Sequence, residues 1–542
     1  MHTFSPARLW IACLLLAVAT TASVVQARQA TVRCVNADGS GGCFTSIAAA
    51  VAAAADGDTI QIAAGTFNES GIFVDKALTI TGAGMDQTIV SGASTFAEGT
   101  SVFQFGAPQS WPARIAAISQ LTITGGYRGV HAGGCANDLT LDHVRITGNG
   151  PGSGAGYFNN CSVVRLTASR IDHNTATRAD FAGCDWGQGG VGGGIASLCG
   201  GGSNVIRNST IDHNTASLIG GGLAINDTTS LIENSTISDN TANSTHMDGS
   251  VPPYFGGGGV WISGAPRVSI RYSTIADNAA PNGAGGGIHG GIVDPTGTVF
   301  VGLEGSIVSG NTAGALSTVF NRAIAPVLMA DCGSWWDNAL TSLGGNVIGD
   351  QSCMVAGPGD AAGTAALLAP LADNGGATPT RALLDGSVGI DHAPACGVTG
   401  ATTNAATLLG FPELIAADQR GIARPVGAAC DSGAFEAGPA GDTTPPTIDA
   451  HADITAEATR RSGAIVTYVA PATHDNVDGA GVATCAPASG TRFPLGTTMV
   501  TCTASDAAAN TSTSTFAVRV VDTTPPVFDP YDNIVVGDPN SK

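Results

Sequence analysis

Ile211-Asp212-His213-Asn214 is followed a short way on by Ile237-Ser238-Asp239-Asn240, and this phrase of an aliphatic residue, two others and an Asn decides how the chain is read. It stands also as Ile146-Thr147-Gly148-Asn149, Ile171-Asp172-His173-Asn174 and Ile275-Ala276-Asp277-Asn278, and with a Val inserted as Ile307-Val308-Ser309-Gly310-Asn311. Successive Asn residues are 25, 40, 26, 38 and 33 positions apart. Self-similarity at a period of a few tens of residues marks a stacked-repeat architecture, in which a coil cannot bury its apolar face without its neighbours.

Between the Asn phrases stand glycine clusters followed by an aliphatic residue: Gly192-Gly193-Gly194-Ile195, Gly220-Gly221-Gly222-Leu223, Gly256 to Gly259 before Val260, and Gly285-Gly286-Gly287-Ile288. Short apolar or alternating runs such as Leu121-Thr122-Ile123-Thr124, Leu139-Thr140-Leu141 and Val260-Trp261-Ile262 read as strands and are too short for helices. Constant strands at variable spacing describe one core cross-section with loops of different length, the pattern of a parallel β-solenoid. Asn149, Asn174, Asn214, Asn240, Asn278 and Asn311 read as structural turn residues. Asn tolerates left-handed backbone geometry, and stacked amides can hydrogen-bond between coils about 4.8 Å apart. Upstream, Thr45-Ser46-Ile47 opens an Ala-rich stretch ending at Asp56-Gly57, a short helix that would cap the open first edge over about 44–56.

Phe44 to Phe67, with its Ala-rich helix, Gly-Asp, strand and Gly-Thr-aromatic, resembles the opening of right-handed parallel β-helix proteins of the pectin-lyase-like superfamily. The repeats resemble those of polymorphic outer-membrane proteins, with Ile where that family usually has Phe. The motifs Asn374-Gly375-Gly376-Ala377-Thr378-Pro379-Thr380, Gly386 to Asp391, Asp418-Gln419-Arg420-Gly421-Ile422-Ala423-Arg424-Pro425 and Cys430-Asp431-Ser432-Gly433-Ala434-Phe435-Glu436 are similar to the ends of bacterial secreted β-helix proteins of the choice-of-anchor group. The resemblance implies the fold and hardly touches activity.

The 542 residues allow more than one domain, and 43% hydrophobic content argues against disorder despite 76 glycines. Arg8, the apolar run Leu9 to Ala19 and Val25-Gln26-Ala27 match a cleaved secretory signal over 1–27. No later run is long and apolar enough to span a bilayer, so the expected location is secreted or at the cell surface. Setting aside Cys13 leaves twelve cysteines, which in an exported protein favour disulfides. Their order invites sequential pairing of Cys34 with Cys43, Cys135 with Cys161, Cys184 with Cys199, Cys332 with Cys353, Cys396 with Cys430 and Cys485 with Cys502; sequence alone leaves other connectivities open. A formal charge of −20 excludes nucleic acid as a partner.

The solenoid is expected over 28–437 and a linker over 438–446. From Asp442-Thr443-Thr444-Pro445-Pro446 the composition changes to alternating strands, such as Ala464 to Val469, Met499 to Ala504 and Phe516 to Val521. Cys485, Phe493-Pro494-Leu495-Gly496-Thr497, Val500-Thr501-Cys502, Ala504-Ser505-Asp506, Asn510 and Phe516 resemble a hyalin repeat (HYR), an immunoglobulin-like module, over 442–521. That resemblance implies an extracellular adhesion or spacer role without catalytic residues. Asp522-Thr523-Thr524-Pro525-Pro526 repeats the opening, so 522–542 begins an incomplete second repeat or a tail. The fold class is thus all-β, a right-handed parallel β-helix followed by an immunoglobulin-like sandwich.

For chemistry, Arg170, Asp172 and His173 above Asp212 and His213, with Asp239 and Asp277 beyond, would form a ladder suited to Ca²⁺ or to acid–base attack on a glycan. The plainer reading makes them solvated polar residues beside a corner, because the Asp moves from two positions before the Asn to one and leaves the column. No lyase or polygalacturonase motif of the superfamily is present, so no catalytic residue, metal or cofactor is assigned. Trp186, Trp261, Trp335 and Trp336 are candidates for sugar stacking, Trp335 and Trp336 foremost. The expected function is adhesion to a polysaccharide or cell-surface protein through loops at 178–203, 243–258 and 313–345. The alternatives are a polysaccharide lyase or glycoside hydrolase acting on the lateral face, and a passive stalk. The sequence does not specify the ligand, the anchoring mode or the oligomeric state.

Overall fold

Column by column, the repeats stack in register. Ile146 pairs with Ile171, Ile171 with Ile211, Ile211 with Ile237, Ile237 with Ile275, Ile275 with Val308 and Val308 with Ile348, all by parallel strand pairing and all buried. The computed structural model describes residues 29–92, 100–106, 114–134, 137–177, 190–198, 200, 202–244, 256–264, 267–290, 300–314, 330–334, 340–354, 356–393, 396, 415–438, 444–475 and 478–526. The signal-like segment, Cys13, Cys135, Cys184, Cys199, Trp186, Trp335, Trp336, residues 527–542 and most of the three long loops lie outside these.

Two further columns close the interior. Leu141, Leu166, Ile206, Ile232, Ile270 and Leu303 form one, and Val130, Tyr157, Ile195, Leu223, Val260, Ile288 and Cys332 form the other. The coil is thus a parallel β-helix with a dry core, each buried aliphatic stabilising it by about 1.5–3 kcal/mol. The last phrase contains no insertion after all. Val308, three residues before Asn311, takes the interior position, and Ile307 takes the outward position of Thr274.

The Asn residues form a continuous buried ladder. Asn214 illustrates it: its backbone N–H and its Nδ2 both donate to Asn240 Oδ1 at 3.0 Å. Nδ2 also donates to Ile171 O at 2.8 Å and Asp212 O at 3.0 Å, while Oδ1 accepts from the N–H and Nδ2 of Asn174. The chain of bonds begins at Gly126 N–H and runs through Asn149, Asn174, Asn214, Asn240, Asn278 and Asn311 to Asp331. The left-handed conformation expected of the Asn belongs instead to the residue before it: Gly148 (φ 64°), His173 (55°), His213 (54°), Asp239 (59°), Asp277 (54°) and Gly310 (75°). That residue makes the corner, and the Asn satisfies the amides the corner exposes.

A second ladder was not foreseen. Ser169, Ser209, Ser235, Ser273 and Ser306 each accept through Oγ from the backbone N–H one coil earlier, beginning with Val144. It ends with Ser306 N–H on Asn346 Oδ1 and Asn346 N–H on Asp360 Oδ1, both at 2.9 Å. At the third corner the triple glycines press on the neighbouring coil, and a Cβ on Gly193 would lie 2.5 Å from Gly221 O.

The N-terminal edge is covered by the helix Ile47–Ala53, with Ile47, Ala50 and Val51 turned inward. The Glu69 carboxylate accepts from Ile47 N–H at 2.7 Å and Ala48 N–H at 2.9 Å, and Lys76 Nζ donates to Val51 O and Ala52 O at the other end. Both helix ends are thereby satisfied with charge of the favourable sign.

The C-terminal module packs small sheets around Phe493, Val500, Cys502, Phe516, Val518 and Val520. Gly496–Ser505 pairs antiparallel with Thr511–Val521, whose other edge pairs parallel with Ile454–Glu457. The strand read at Ala464 to Val469 is shorter, Ala464–Ile465; Val466 still bonds Gly490 and Thr491 through its backbone, and Tyr468 N–H then turns to Ser489 Oγ. Disulfides join Cys34–Cys43, Cys332–Cys353, Cys396–Cys430 and Cys485–Cys502; Cys161 is also disulfide-bonded.

Asn214→Ala leaves several buried donors and acceptors of two neighbouring coils unpaired. Urea unfolding should show a loss of about 2–4 kcal/mol, against less than about 0.5 kcal/mol for Asn68→Ala on the exposed surface.

Candidate functional site

The arginine, aspartate and histidine ladder is assembled, but not as a solvated stripe. Asp172 and Asp212 share one column by strand register and are fully buried. Arg145 grips Asp172 with Nε to Oδ1 at 2.9 Å and Nη2 to Oδ2 at 2.6 Å, and Arg170 grips Asp212 at 2.8 and 2.7 Å. The reading of Asp172 and Asp212 as polar groups facing water is therefore corrected, while His173 and His213 do face it: each carboxylate is held in a two-pronged ion pair from the preceding coil.

His173 and His213 project from the adjacent left-handed positions. Each donates Nδ1–H to its own neighbour's carboxylate, His173 to Asp172 at 2.8 Å and His213 to Asp212 at 2.9 Å. The rings stack with centroids 5.0 Å apart and planes within 5°. The hydrogen bond to Asp212 holds the His213 imidazole above its ordinary range. Burial pushes the Asp172 carboxyl up, but Arg145, Arg170 and His173 together pull it below the usual carboxylate range. Asp239 and Asp277 occupy the histidine column and do not extend the carboxylate column; the place after Asp212 is filled by Ser238.

What closes the column is the chain's own C-terminal stretch. Arg381 donates Nε to Ser238 Oγ at 2.6 Å and pairs with Asp239 at 2.8 Å and Asp277 at 2.6 Å. The strap continues along the outward Thr residues. Gln419 Nε2 donates to Thr210 Oγ1 at 2.8 Å, Thr236 Oγ1 donates to Gln419 Oε1 at 2.7 Å, and Ala434 N–H donates to Thr274 Oγ1 at 3.0 Å. Ile307 packs against Leu383, Phe435 and Ala437. Arg170 lies in register with Thr210, so the arginine coils are the ones where the Thr docking surface stops.

The closing motifs hold the strap together. Asp418 Oδ2 accepts from Arg420 Nε and from Glu436 N–H, both at 2.9 Å, and Arg420 lies 3.6 Å above the Phe435 ring. Arg424 pairs with Glu436 at 2.8 Å. Asp431, buried beside Glu436, has its carboxyl pushed up to about 7 by burial first and by that like charge second.

Of the stacking candidates, Trp261 is withdrawn: it is 1% exposed and packs with Phe158, Val191, Leu218 and Ile219. Sequence reading also missed a carboxylate group in the C-terminal module. Asp475, Asp478 and Asp506 bring ligand oxygens within 4.8 Å of one another, a donor set suited to a hard cation, although Ala507 N–H and Asn510 already occupy some of those oxygens. A cavity of about 250 Å³ at the last coils, lined by Ile348, Asp350, Gln351, Cys353, Met354 and Ala362, offers one carboxylate and no base beside it.

These features define a parallel β-helix closed by its own strap and followed by a small disulfide-bonded β module. Residues 441–520 match the HYR domain family. Among solved structures the chain is similar to pectate lyase Pel9A, at 14% identity over 76% of this chain and 97% of that one, with a TM-score of 0.40. It is also similar to pectin methylesterase PemA from Erwinia chrysanthemi (14% identity, 57% and 93% covered, TM-score 0.28). A third likeness is to the mannuronan C-5 epimerase AlgE6 A-module of Azotobacter vinelandii (16%, 58% and 91%, 0.28). No curated protein sequence matches the chain. The disulfides and the HYR domain fit an extracellular protein, and among the described residues no helix is long and apolar enough to cross a membrane.

Arg381→Ala strips the cation from Asp239 and Asp277 and should loosen the strap. Limited proteolysis should then cut within 366–437 while the solenoid survives, with a cost of about 1–3 kcal/mol since both carboxylates are partly wet. Because folding raises the Asp431 carboxyl from the carboxylate range to about 7, its contribution to stability is complete below about pH 4 and is lost as pH rises through 7. Thermal melts should show Asp431→Asn less stable overall but with a flatter decline between pH 5 and 8.

Proposed function

We propose that the chain is an exported surface or matrix protein that binds a polysaccharide or a cell-surface protein through loops inserted between its coils, with the HYR domain as an adhesion-type spacer. The observation that carries this reading is the strap. A polymer-cleaving enzyme working along this lateral face would need it open, yet Thr378, Leu383, Gln419, Ala434 and Phe435 cover the coils at Thr210, Thr236, Thr274 and Ile307 with hydrogen bonds and apolar contacts. The carboxylates beside it are engaged by arginine and lack the freedom of a general acid and base pair working on either side of a glycosidic bond.

One observation favours the enzyme reading. Asp172–His173 and Asp212–His213 each have the arrangement of a carboxylate orienting an imidazole, which can move a proton at Nε2. Glycan-array binding and a depolymerisation screen on the purified mature chain separate the two. Binding without chain cleavage is expected. Depolymerisation that disappears in Arg170→Ala or Asp212→Asn would reverse the assignment.

A further inference from the structure

We propose that His173 and His213 together form a binding site for a single transition-metal ion of the zinc, nickel or copper class on the outer corner of the solenoid. The site is independent of the loop-binding function above.

The argument starts from the coil register. Strand pairing of Asp172 with Asp212 brings the two corners one above the other, so that both imidazoles leave the solenoid side by side. Their rings are parallel within 5° at 5.0 Å, and the side chains remain 56% and 47% exposed. Neither ring is used to fill the core or to close a ladder.

Each imidazole is also oriented by layers of support. Nδ1–H donates to a buried carboxylate, which leaves the lone pair on Nε2 and points it to solvent. Those carboxylates are in turn fixed by Arg145 and Arg170. A histidine ligand whose other ring nitrogen donates to a carboxylate is the common second layer of protein metal sites, setting tautomer, orientation and basicity. Here it occurs twice, on adjacent coils.

Geometry selects the class of ion. Metal–nitrogen bonds of about 2.0–2.1 Å at a tetrahedral angle place two ligand nitrogens about 3.3 Å apart, so the ring tips need to lean together by about 1.7 Å from the stacked arrangement. Their exposed tips leave room for that, and water completes the coordination. A hard, oxygen-seeking ion is disfavoured, because the nearby carboxylate oxygens are committed: those of Asp172 and Asp212 to arginine and histidine, and those that pair Asp239 and Asp277 to Arg381. Imidazole is the donor left over.

Titration calorimetry of the mature chain with nickel chloride and zinc chloride near neutral pH tests this, against a His173→Asn, His213→Asn double variant. Asn keeps the left-handed corner accessible, and circular dichroism confirms that the variant is folded. One micromolar site present in the unaltered chain and absent in the folded double variant is the expected result. Asp212→Asn should weaken it about 10–100-fold. Retention of that site in the double variant, absence of binding by the unaltered chain, or displacement of nickel by equimolar calcium would each overturn the proposal.

Discussion

A solenoid corner turns its backbone amides along the axis, into a space that holds the next coil and no solvent. Everything else in this chain depends on answering those amides. The Asn column does so by presenting one oxygen to two N–H donors of the coil before and passing its own two donors to the coil after. The Ser column at the second corner accepts one backbone N–H of the coil before with each hydroxyl oxygen and passes on its own backbone N–H, while the hydroxyl donates to a carbonyl two residues back, as Ser209 Oγ does to Arg207 O. With both corners satisfied, the aliphatic columns can lie directly upon each other, and the core stays one residue wide whatever the loops outside it do.

The ladder was legible because it imposes a residue type at a fixed distance from an interior aliphatic. Ile171 and Asn174 recur together since one fills the core and the other closes the turn three residues on. The serine ladder obeys the same logic, five positions before each Asn, as Ser209 before Asn214 and Ser235 before Asn240. Its signal is weaker because serine is common in any polar loop, and here it overlaps the Asn-x-Ser/Thr pattern. The strap was not legible at all. Thr210 and Thr236 look like ordinary outward strand residues, and only the return of a segment some 170 positions later turns them into a docking surface.

The buried aspartates show a related difficulty. From sequence, a charged residue beside a turn reads as solvated, since an unpaired buried carboxylate is costly. Asp172 and Asp212 escape that cost through Arg145 and Arg170, each one coil away and therefore 27 and 42 residues distant in sequence. Partners that meet only through stacking leave no local trace. The same stacking sets the two imidazoles against each other and ends the arginine positions where the strap begins, so among the described residues the outer face is divided into an end under the strap and an end beyond it.

The side-chain relay of each ladder finishes on an aspartate, Asp331 in one and Asp360 in the other. The running direction of donors and acceptors gives this a consequence: the side-chain carboxylate accepts but has no side-chain N–H to hand onward, so at Asp331 only the backbone N–H goes on, to Asp350 Oδ2 at 3.2 Å. The two-donor relay of the Asn column therefore narrows at Asp331 to a single backbone bond. Repeats can be duplicated or deleted upstream of these residues with the pattern intact, whereas a coil grafted beyond them would meet one donor where an Asn offers two. Length in such a protein is edited more readily from within than at that end.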